Sequence, residues 1–182
     1  MKKMDVFILK KFQKMADFLQ IVFGITCFSL SRYLIIAWAV VDVFVHCIEA
    51  GDRGIMVNIS PFIVVPLILC VSQIFYINQA EQEHRKTPTC RNFLELRFEI
   101  IRLMLVFLFV TGIIDVIFNS PTSEPKEFAE HYVSKFSFIA TTIWLLGLYF
   151  ASCTPLPPQK SKLKKLMEKL ATGLLESKTQ PV

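Results

Sequence analysis

Residues 33–48 read YLIIAWAVVDVFVHCI, an apolar run interrupted by Asp42 near its middle. A second apolar run, over residues 100–118, carries Asp115. The first run extends easily into its flanks, so both can cross a hydrocarbon core, which takes roughly 17–25 helical residues. A carboxylate at the centre of a membrane helix costs about 2.5–3.5 kcal/mol. The pattern therefore predicts an integral membrane protein whose interior shelters two acids.

The composition favours the same fold class. The chain has 182 residues, of which 53% are hydrophobic and 19% charged, and its mean hydropathy is +0.50, whereas soluble domains carry about 25% charged residues. Apolar stretches predict four membrane spans, at about residues 33–50, 61–78, 99–118 and 132–152. The expected fold is an all-α membrane protein with a four-transmembrane-helix bundle over residues 32–152 and a basic amphipathic helix at each end of the chain.

The distribution of Lys and Arg predicts the orientation, because basic residues favour the cytoplasmic side of short loops. With both termini inside, four spans place all 20 Lys and Arg residues on the inner side except Arg53, Lys126 and Lys135. A fifth span over Ala16–Ser31 would divide these residues far more evenly, so four spans are preferred. No cleavable signal peptide is expected, because the apolar core of Met1–Lys14 is too short. A bacterial-type cytoplasmic membrane is the favoured location.

The N-terminal segment, residues 1–31, is predicted to contain a basic amphipathic helix. Apolar side chains between residues 3 and 20 share one face, and the opposite face carries Lys3, Lys10 and Lys14. Such a helix suits the headgroup region of an anionic inner leaflet, and packing on a partner subunit is the alternative. Residues 18–31 then form either an interfacial helix or the lower part of one long helix that enters the first span.

The C-terminal segment, residues 153–182, is predicted to be a proline-rich spacer followed by a second basic amphipathic helix on the cytoplasmic side. Apolar residues recur there at helical spacing, and the lysines around them are Lys162, Lys164, Lys165 and Lys169. An anionic lipid surface is the nearest partner for these lysines. No aromatic stacking platform accompanies either basic helix, so nucleic acid is not a predicted partner.

Polar side chains inside the predicted spans indicate one candidate intramembrane site. Its members, which share faces at helical spacing, are Asp42, His46, Gln73, Thr111, Asp115 and Asn119. Three interpretations are open. The site could fix helix register through hydrogen bonds, form a path or binding site for a proton, cation or small ligand, or pair with basic groups of another subunit.

The sequence contains no motif for a reaction or a cofactor. There is no nucleophile elbow, zinc-protease motif or phosphate-binding loop, and the three histidines offer no pair at matched depth for a haem. We therefore expect no cofactor, no metal and no enzymatic activity.

The favoured function is a non-enzymatic accessory, scaffold or assembly subunit of a membrane complex. The alternative is a small oligomeric transporter or channel that uses Asp42 and Asp115. The expected partners are membrane lipids, with other membrane subunits or a second copy of the chain as further candidates.

Overall fold

A computed structural model describes residues 2–52, 59–87, 92–118, 125–157 and 161–169. These residues form helices and their connections and contain no strand, which confirms the all-α class for this part of the chain. The helices are α1 (Lys2–Phe23), α2 (Cys27–Asp52), α3 (Ile59–Lys86), α4 (Leu94–Arg97), α5 (Glu99–Phe118) and α6 (Pro125–Ser152). A seventh helix, α7, covers residues 162–169.

The chain turns at Gly24, which separates α1 from α2. Gly24 has a φ of +77°, a left-handed conformation that glycine adopts without a Cβ clash, and its N–H donates to the Gln20 carbonyl at 3.0 Å. Thr26 then caps α2, because its hydroxyl accepts the N–H of Ser29 at 3.2 Å. Residues 18–31 are therefore divided between two helices, which corrects both alternatives expected from the sequence.

α6 is the central helix of the bundle. Its most extensive packing is with α2, and α5 lies against it as well. α3 packs mainly on α2, so the order across the bundle is α3, α2, α6, α5. α1 and the short α4 both contact α5 and α6. The end of α6 therefore lies where several elements meet.

α2 and α6 approach each other closely at Gly147. A Cβ added there would lie 3.1 Å from Cγ1 of Ile35 and 3.4 Å from Cβ of Leu34. The Ser31 hydroxyl donates to the Gly147 carbonyl at 2.7 Å in the same buried contact. Small residues at helix crossings permit such backbone approach in membrane proteins. The absence of a side chain at position 147 therefore sets the spacing of the two central helices.

Both tryptophans of the chain lie in the α2–α6 contact. The rings of Trp38 and Trp144 stack with centroids 4.4 Å apart and an interplanar angle of 12°. Trp144 Nε1 donates to Oε1 of Gln73, a buried amide on α3, at 2.9 Å. An indole N–H in apolar surroundings needs an acceptor, so this hydrogen bond joins α3 to the central pair.

Two helical stretches are long and apolar enough to cross a membrane, Cys27–Cys47 in α2 and Ile63–Lys86 in α3. Only 33% and 28% of their apolar windows are buried inside the protein, whereas the core helix of a soluble protein is mostly buried. Their outward faces expose large hydrophobic side chains, among them Tyr33, Val40, Phe44, Ile68, Val71 and Phe75. Lipid is the solvent that such faces suit.

The described residues thus support two membrane-crossing helices and not the four predicted. Among the described side chains of α6, the apolar stretch is Phe136–Ser152, which is shorter than a full span; the side chains of residues 125–135 lie outside the described part of the chain. In α5, most side chains from residue 112 onward lie outside the described part of the chain.

The proline-rich segment after α6 runs along α1. Residues 153–157 are not helical, as their prolines predict. The Gln13 side chain accepts the Thr154 N–H at 2.9 Å and donates to the Thr154 carbonyl at 2.8 Å. Gln20 makes the same pair of bonds with Leu156, at 2.9 and 2.7 Å. We call these contacts the glutamine clamps; they fasten to α1 a segment that was expected to be a proline-rich spacer.

We predict that enlarging position 147 destabilises the bundle in proportion to side-chain size. Gly147→Ala requires the Ile35 side chain to move by a few tenths of an ångström, and Gly147→Leu should cost about 1–3 kcal/mol through overpacking. The thermal midpoint of the detergent-solubilised protein would measure both. Ser137→Leu, at an exposed position on α6, is the control and should change the midpoint little. Equal midpoints for Gly147→Leu and the native protein would contradict the close crossing.

Candidate functional site

The structure brings two members of the predicted intramembrane site together. Asp42 and His46 lie one turn apart on α2, both half-buried. His46 Nδ1 is 3.6 Å from Oδ2 of Asp42 and 2.8 Å from the Asp42 carbonyl oxygen. This contact lies within a single helix, so it lowers the cost of an acid in α2 without linking α2 to another span.

The other predicted members lie in different places. Gln73 is buried and accepts the Trp144 indole N–H. Thr111 is exposed, and its hydroxyl donates to the Leu108 carbonyl of its own helix at 2.9 Å. The side chain of Asp115 and the whole of Asn119 lie outside the described residues. Convergence of all six residues therefore stays a prediction.

A second polar group, which the sequence analysis did not identify, lies at the end of the bundle where α6 stops. Arg102 of α5 is 1% exposed and Asp5 of α1 is 4% exposed. Arg102 Nη2 donates to Asp5 Oδ2 at 2.9 Å, and Nε donates to Oδ1 at 3.2 Å. Such two-point pairing is the strongest form of arginine–carboxylate contact. It joins two segments 97 residues apart.

Three further residues complete this group, which we call the arginine cluster: Asp5, Arg102, Tyr149, Ser152 and the carbonyl of Glu95. Tyr149 donates its hydroxyl to Asp5 Oδ1 at 2.8 Å. Arg102 Nη1 donates to Ser152 Oγ at 2.5 Å and to the Glu95 carbonyl at 3.0 Å. The arginine cluster therefore ties α1, α4, α5 and α6 together with charge-assisted hydrogen bonds.

Aromatic side chains pack α1 against the arginine cluster. The Phe12 ring stacks on the Tyr149 ring with centroids 4.9 Å apart, and it meets the Phe150 ring edge-on at 5.2 Å. One face of α1 thus packs inside the protein itself. The sequence analysis had weighed only lipid or a partner subunit for the apolar face of this helix.

The carboxylate of Asp5 is held in its charged form. Burial raises its pKa by removing water, but the hydrogen bonds from Arg102 and Tyr149 and the guanidinium charge outweigh that effect. The pKa of Asp5 therefore lies below its ordinary value of 3.8. The ion pair is intact at neutral pH.

The end of α6 is also capped by a side chain from the α3–α4 connection. Asn92 Nδ2 donates to the carbonyls of Ala151 and Cys153, at 2.7 and 2.8 Å. The Asn92 Oδ1 accepts the N–H of Leu94 at 3.0 Å, and the Cys27 thiol lies 3.4 Å from the Cys153 carbonyl. The last carbonyls of a buried helix need such partners, and here they come from α2 and the α3–α4 connection.

The lysines predicted to face a membrane surface are all exposed. On α1 they are Lys3, Lys10 and Lys14, and on α7 they are Lys162, Lys164, Lys165 and Lys169. On the side of α1 opposite Asp5, Phe7 and Phe18 are also exposed. Both basic helices therefore combine exposed lysines with exposed apolar side chains.

A clear signal for the arginine cluster was present in the sequence. Asp5 is an acid at the helical positions shared by Ile8, Phe12 and Ala16, and Arg102 is a lone base near the start of a strongly apolar run. Two opposite charges, each on an apolar face, indicate a buried pair. Because the two residues are 97 positions apart, local sequence patterns could not show that they pair.

Comparison with known proteins identified no relative: no family model, curated protein or solved structure matches the chain. Among the described side chains, no three histidine, cysteine, aspartate or glutamate residues gather as a metal site. What the arginine cluster does chemically therefore follows from its own contacts, which hold four helices in place.

We predict that Asp5→Leu undocks α1 and destabilises the protein by about 3–5 kcal/mol, because it leaves the Arg102 charge buried without a counter-charge. Hydrogen exchange of residues 2–23 and the rate of tryptic cleavage at Lys10 would measure the release. Lys14→Leu, at an exposed position on the same helix, is the control. The double change Asp5→Leu with Arg102→Met removes both charges and should restore most of the protection. Unchanged exchange in Asp5→Leu alone would contradict the assignment.

Acid should produce the same release in the native protein. The folded-state pKa of Asp5 is depressed, so its contribution to stability is fully present above the unfolded-state value of about 3.9. That contribution is lost as the pH falls through the lower folded-state value. Exchange of α1 should therefore accelerate below about pH 4, and this acceleration should be absent from the double variant.

Proposed function

We propose that the protein is a non-enzymatic accessory or scaffold subunit of a membrane complex, inserted as a four-helix bundle with both termini on the cytoplasmic side of a bacterial-type membrane. Four features support this proposal: the exposed apolar helices, the location of the basic residues, the hydrogen bonds between helices and the outward-facing basic helices.

The exposed faces of three helices support insertion in lipid. α2 and α3 carry apolar faces of spanning length, and α5 continues this surface with exposed hydrophobic residues, among them Met104, Phe107, Leu108 and Val110. α6 lies between α2 and α5, so its shorter apolar stretch occupies the same layer. Four helices crossing one bilayer account for all of these surfaces.

The ends of four helices meet on one side of the bundle, and that side is basic. The start of α2 meets the end of α3 through the Arg32–Glu81 ion pair, and Arg85 also pairs with Glu81 at 2.8 Å. The start of α5 meets the end of α6 through Arg102 and Ser152. With the lysines of α1, these residues favour a cytoplasmic location for this end.

Hydrogen bonds between helices are the observation that carries the choice of an accessory function. The buried donors of Arg102, Trp144 and Ser31 each bond to a neighbouring helix, which is the use expected of groups that hold helices together. The chemistry that faces outward is that of the two basic amphipathic helices, α1 and α7. Such surfaces suit binding more than catalysis.

We predict that cysteine labelling confirms the orientation. In a background with Cys47→Ser and Cys90→Ser, a membrane-impermeant maleimide should reach Asp52→Cys in intact cells. It should reach Lys86→Cys only after the inner side is opened. Cys27, Cys70 and Cys153 are buried and can be retained. Labelling of Lys86→Cys in intact cells would reverse the orientation.

The variant Asp42→Asn distinguishes the transport alternative from the accessory function. For an accessory subunit, this variant should insert normally and co-purify from cross-linked membranes with the same proteins as the native chain, because the Asp42–His46 contact is internal to α2. Asp52→Asn at the end of α2 is the matched control. If the native protein supports a proton- or cation-driven flux in proteoliposomes that Asp42→Asn abolishes, transport replaces the accessory function.

A further inference from the structure

We propose that α1 and α7 form one composite surface that binds anionic phospholipid headgroups, and that the glutamine clamps hold the two helices in register for it. This inference rests on the proposed orientation, and it names a ligand for the end of the bundle that faces the cytoplasm. The ligand chemistry is a phosphodiester beside an acyl chain, which matches lysines beside exposed apolar side chains.

The first argument is the location of α7. Ser161, which precedes it, is buried and lies against Gly24, where an added Cβ would be 3.2 Å from Ser161 Cβ. The Ser161 hydroxyl also accepts the Lys164 N–H at 3.2 Å and caps α7. The spanning stretch Cys27–Cys47 begins three residues after Gly24. α7 therefore starts at the level where the protein enters lipid.

The second argument is the surface of α7. All of residues 162–169 are exposed. Leu163, Leu166 and Met167 share one face of the helix and are 46%, 56% and 63% exposed. Lysines lie around this face, which gives the pattern of a helix that lies in a headgroup layer.

The third argument is that α1, which ends just before the contact of Gly24 with Ser161, presents the same combination of side chains. Phe7 and Phe18 are 60% and 59% exposed on the side away from the arginine cluster, and Lys11 Nζ lies 5.3 Å from the centroid of the Phe7 ring. Phenylalanine is one of the residues that interfacial amphipathic helices bury at the headgroup boundary. Two helices with this chemistry at one boundary favour lipid over a protein partner, because a leaflet extends across both.

The glutamine clamps make the two helices one unit. Thr154 and Leu156 are bonded to Gln13 and Gln20 through both their N–H and carbonyl groups, so residues 154–156 follow α1, and Ser161 lies against Gly24 just beyond its end. The position of α7 thus depends on α1 and, through Asp5, on the arginine cluster. Lysine charge alone would not produce this dependence.

Hydrogen exchange of the full-length protein in nanodiscs tests the proposal. Amides of residues 162–169 should exchange at least about tenfold more slowly with phosphatidylglycerol present than in pure phosphatidylcholine, because lysines near an anionic surface are attracted to it. High salt should remove the difference. Lys162→Gln with Lys165→Gln should also remove it, whereas Arg85→Gln with Lys86→Gln, the same charge change at the same end of the bundle, should not.

The double variant Gln13→Leu with Gln20→Leu tests whether α1 and α7 act as one surface. This variant keeps every lysine, so simple charge attraction predicts native protection of α7, whereas the proposal predicts that protection in anionic nanodiscs is lost. Unchanged exchange of α2 would show that the bundle still folds. Native protection in the clamp variant would overturn the composite surface.

Two other results would also overturn the proposal. Equal exchange of α7 in both lipids would exclude anionic headgroups as the ligand, and protection that appears only with an added protein partner would assign the surface to that partner. The labelling of Lys86→Cys keeps these failures distinct from a failure of the proposed orientation, because it reports the side of the membrane without reference to α7.

Discussion

A guanidinium in apolar surroundings needs hydrogen-bond acceptors from the protein itself, and Arg102 obtains them from three other helices. Asp5 supplies both carboxylate oxygens, Ser152 supplies a hydroxyl and Glu95 a backbone carbonyl. Removing any one of these acceptors would leave a buried donor unpaired, which is costly in a low-dielectric site. The positions of α1, α4 and α6 relative to α5 all follow from this requirement.

The same requirement extends outward from the arginine cluster. Docking of α1 through Asp5 brings Gln13 and Gln20 beside the chain that leaves α6. Prolines keep that chain out of a helix, and the two glutamine amides supply hydrogen bonds that a helix would otherwise provide to its backbone. Gly24 then ends α1 and allows Ser161 to approach. Each step depends on the one before it, and the central contact of α2 with α6 at Gly147 provides the surface on which these elements assemble.

Local periodicity was sufficient to predict helices throughout the described chain and the exposed lysines of both basic helices. It also placed Asp42 and His46 on one face, because residues four apart are neighbours on a helix. It could not show that Gln73 bonds to Trp144 or that Asp5 bonds to Arg102, since those partners lie 71 and 97 residues away. The described residues bear out two of the four predicted spans, since the side chains at the outer ends of α5 and α6 lie outside the described part of the chain.

The pairing of α1 with the end of α6 also has a consequence for biosynthesis. Asp5 emerges from the ribosome long before Tyr149, its partner 144 residues later. Until α6 has been made, α1 lacks the packing of Phe12 on Tyr149 and Phe150, and Arg102 lacks the Ser152 hydroxyl. A chain that ends before α6 therefore holds its N-terminal helix through the Asp5–Arg102 pair alone, and α1 reaches its full set of contacts only when synthesis is nearly complete.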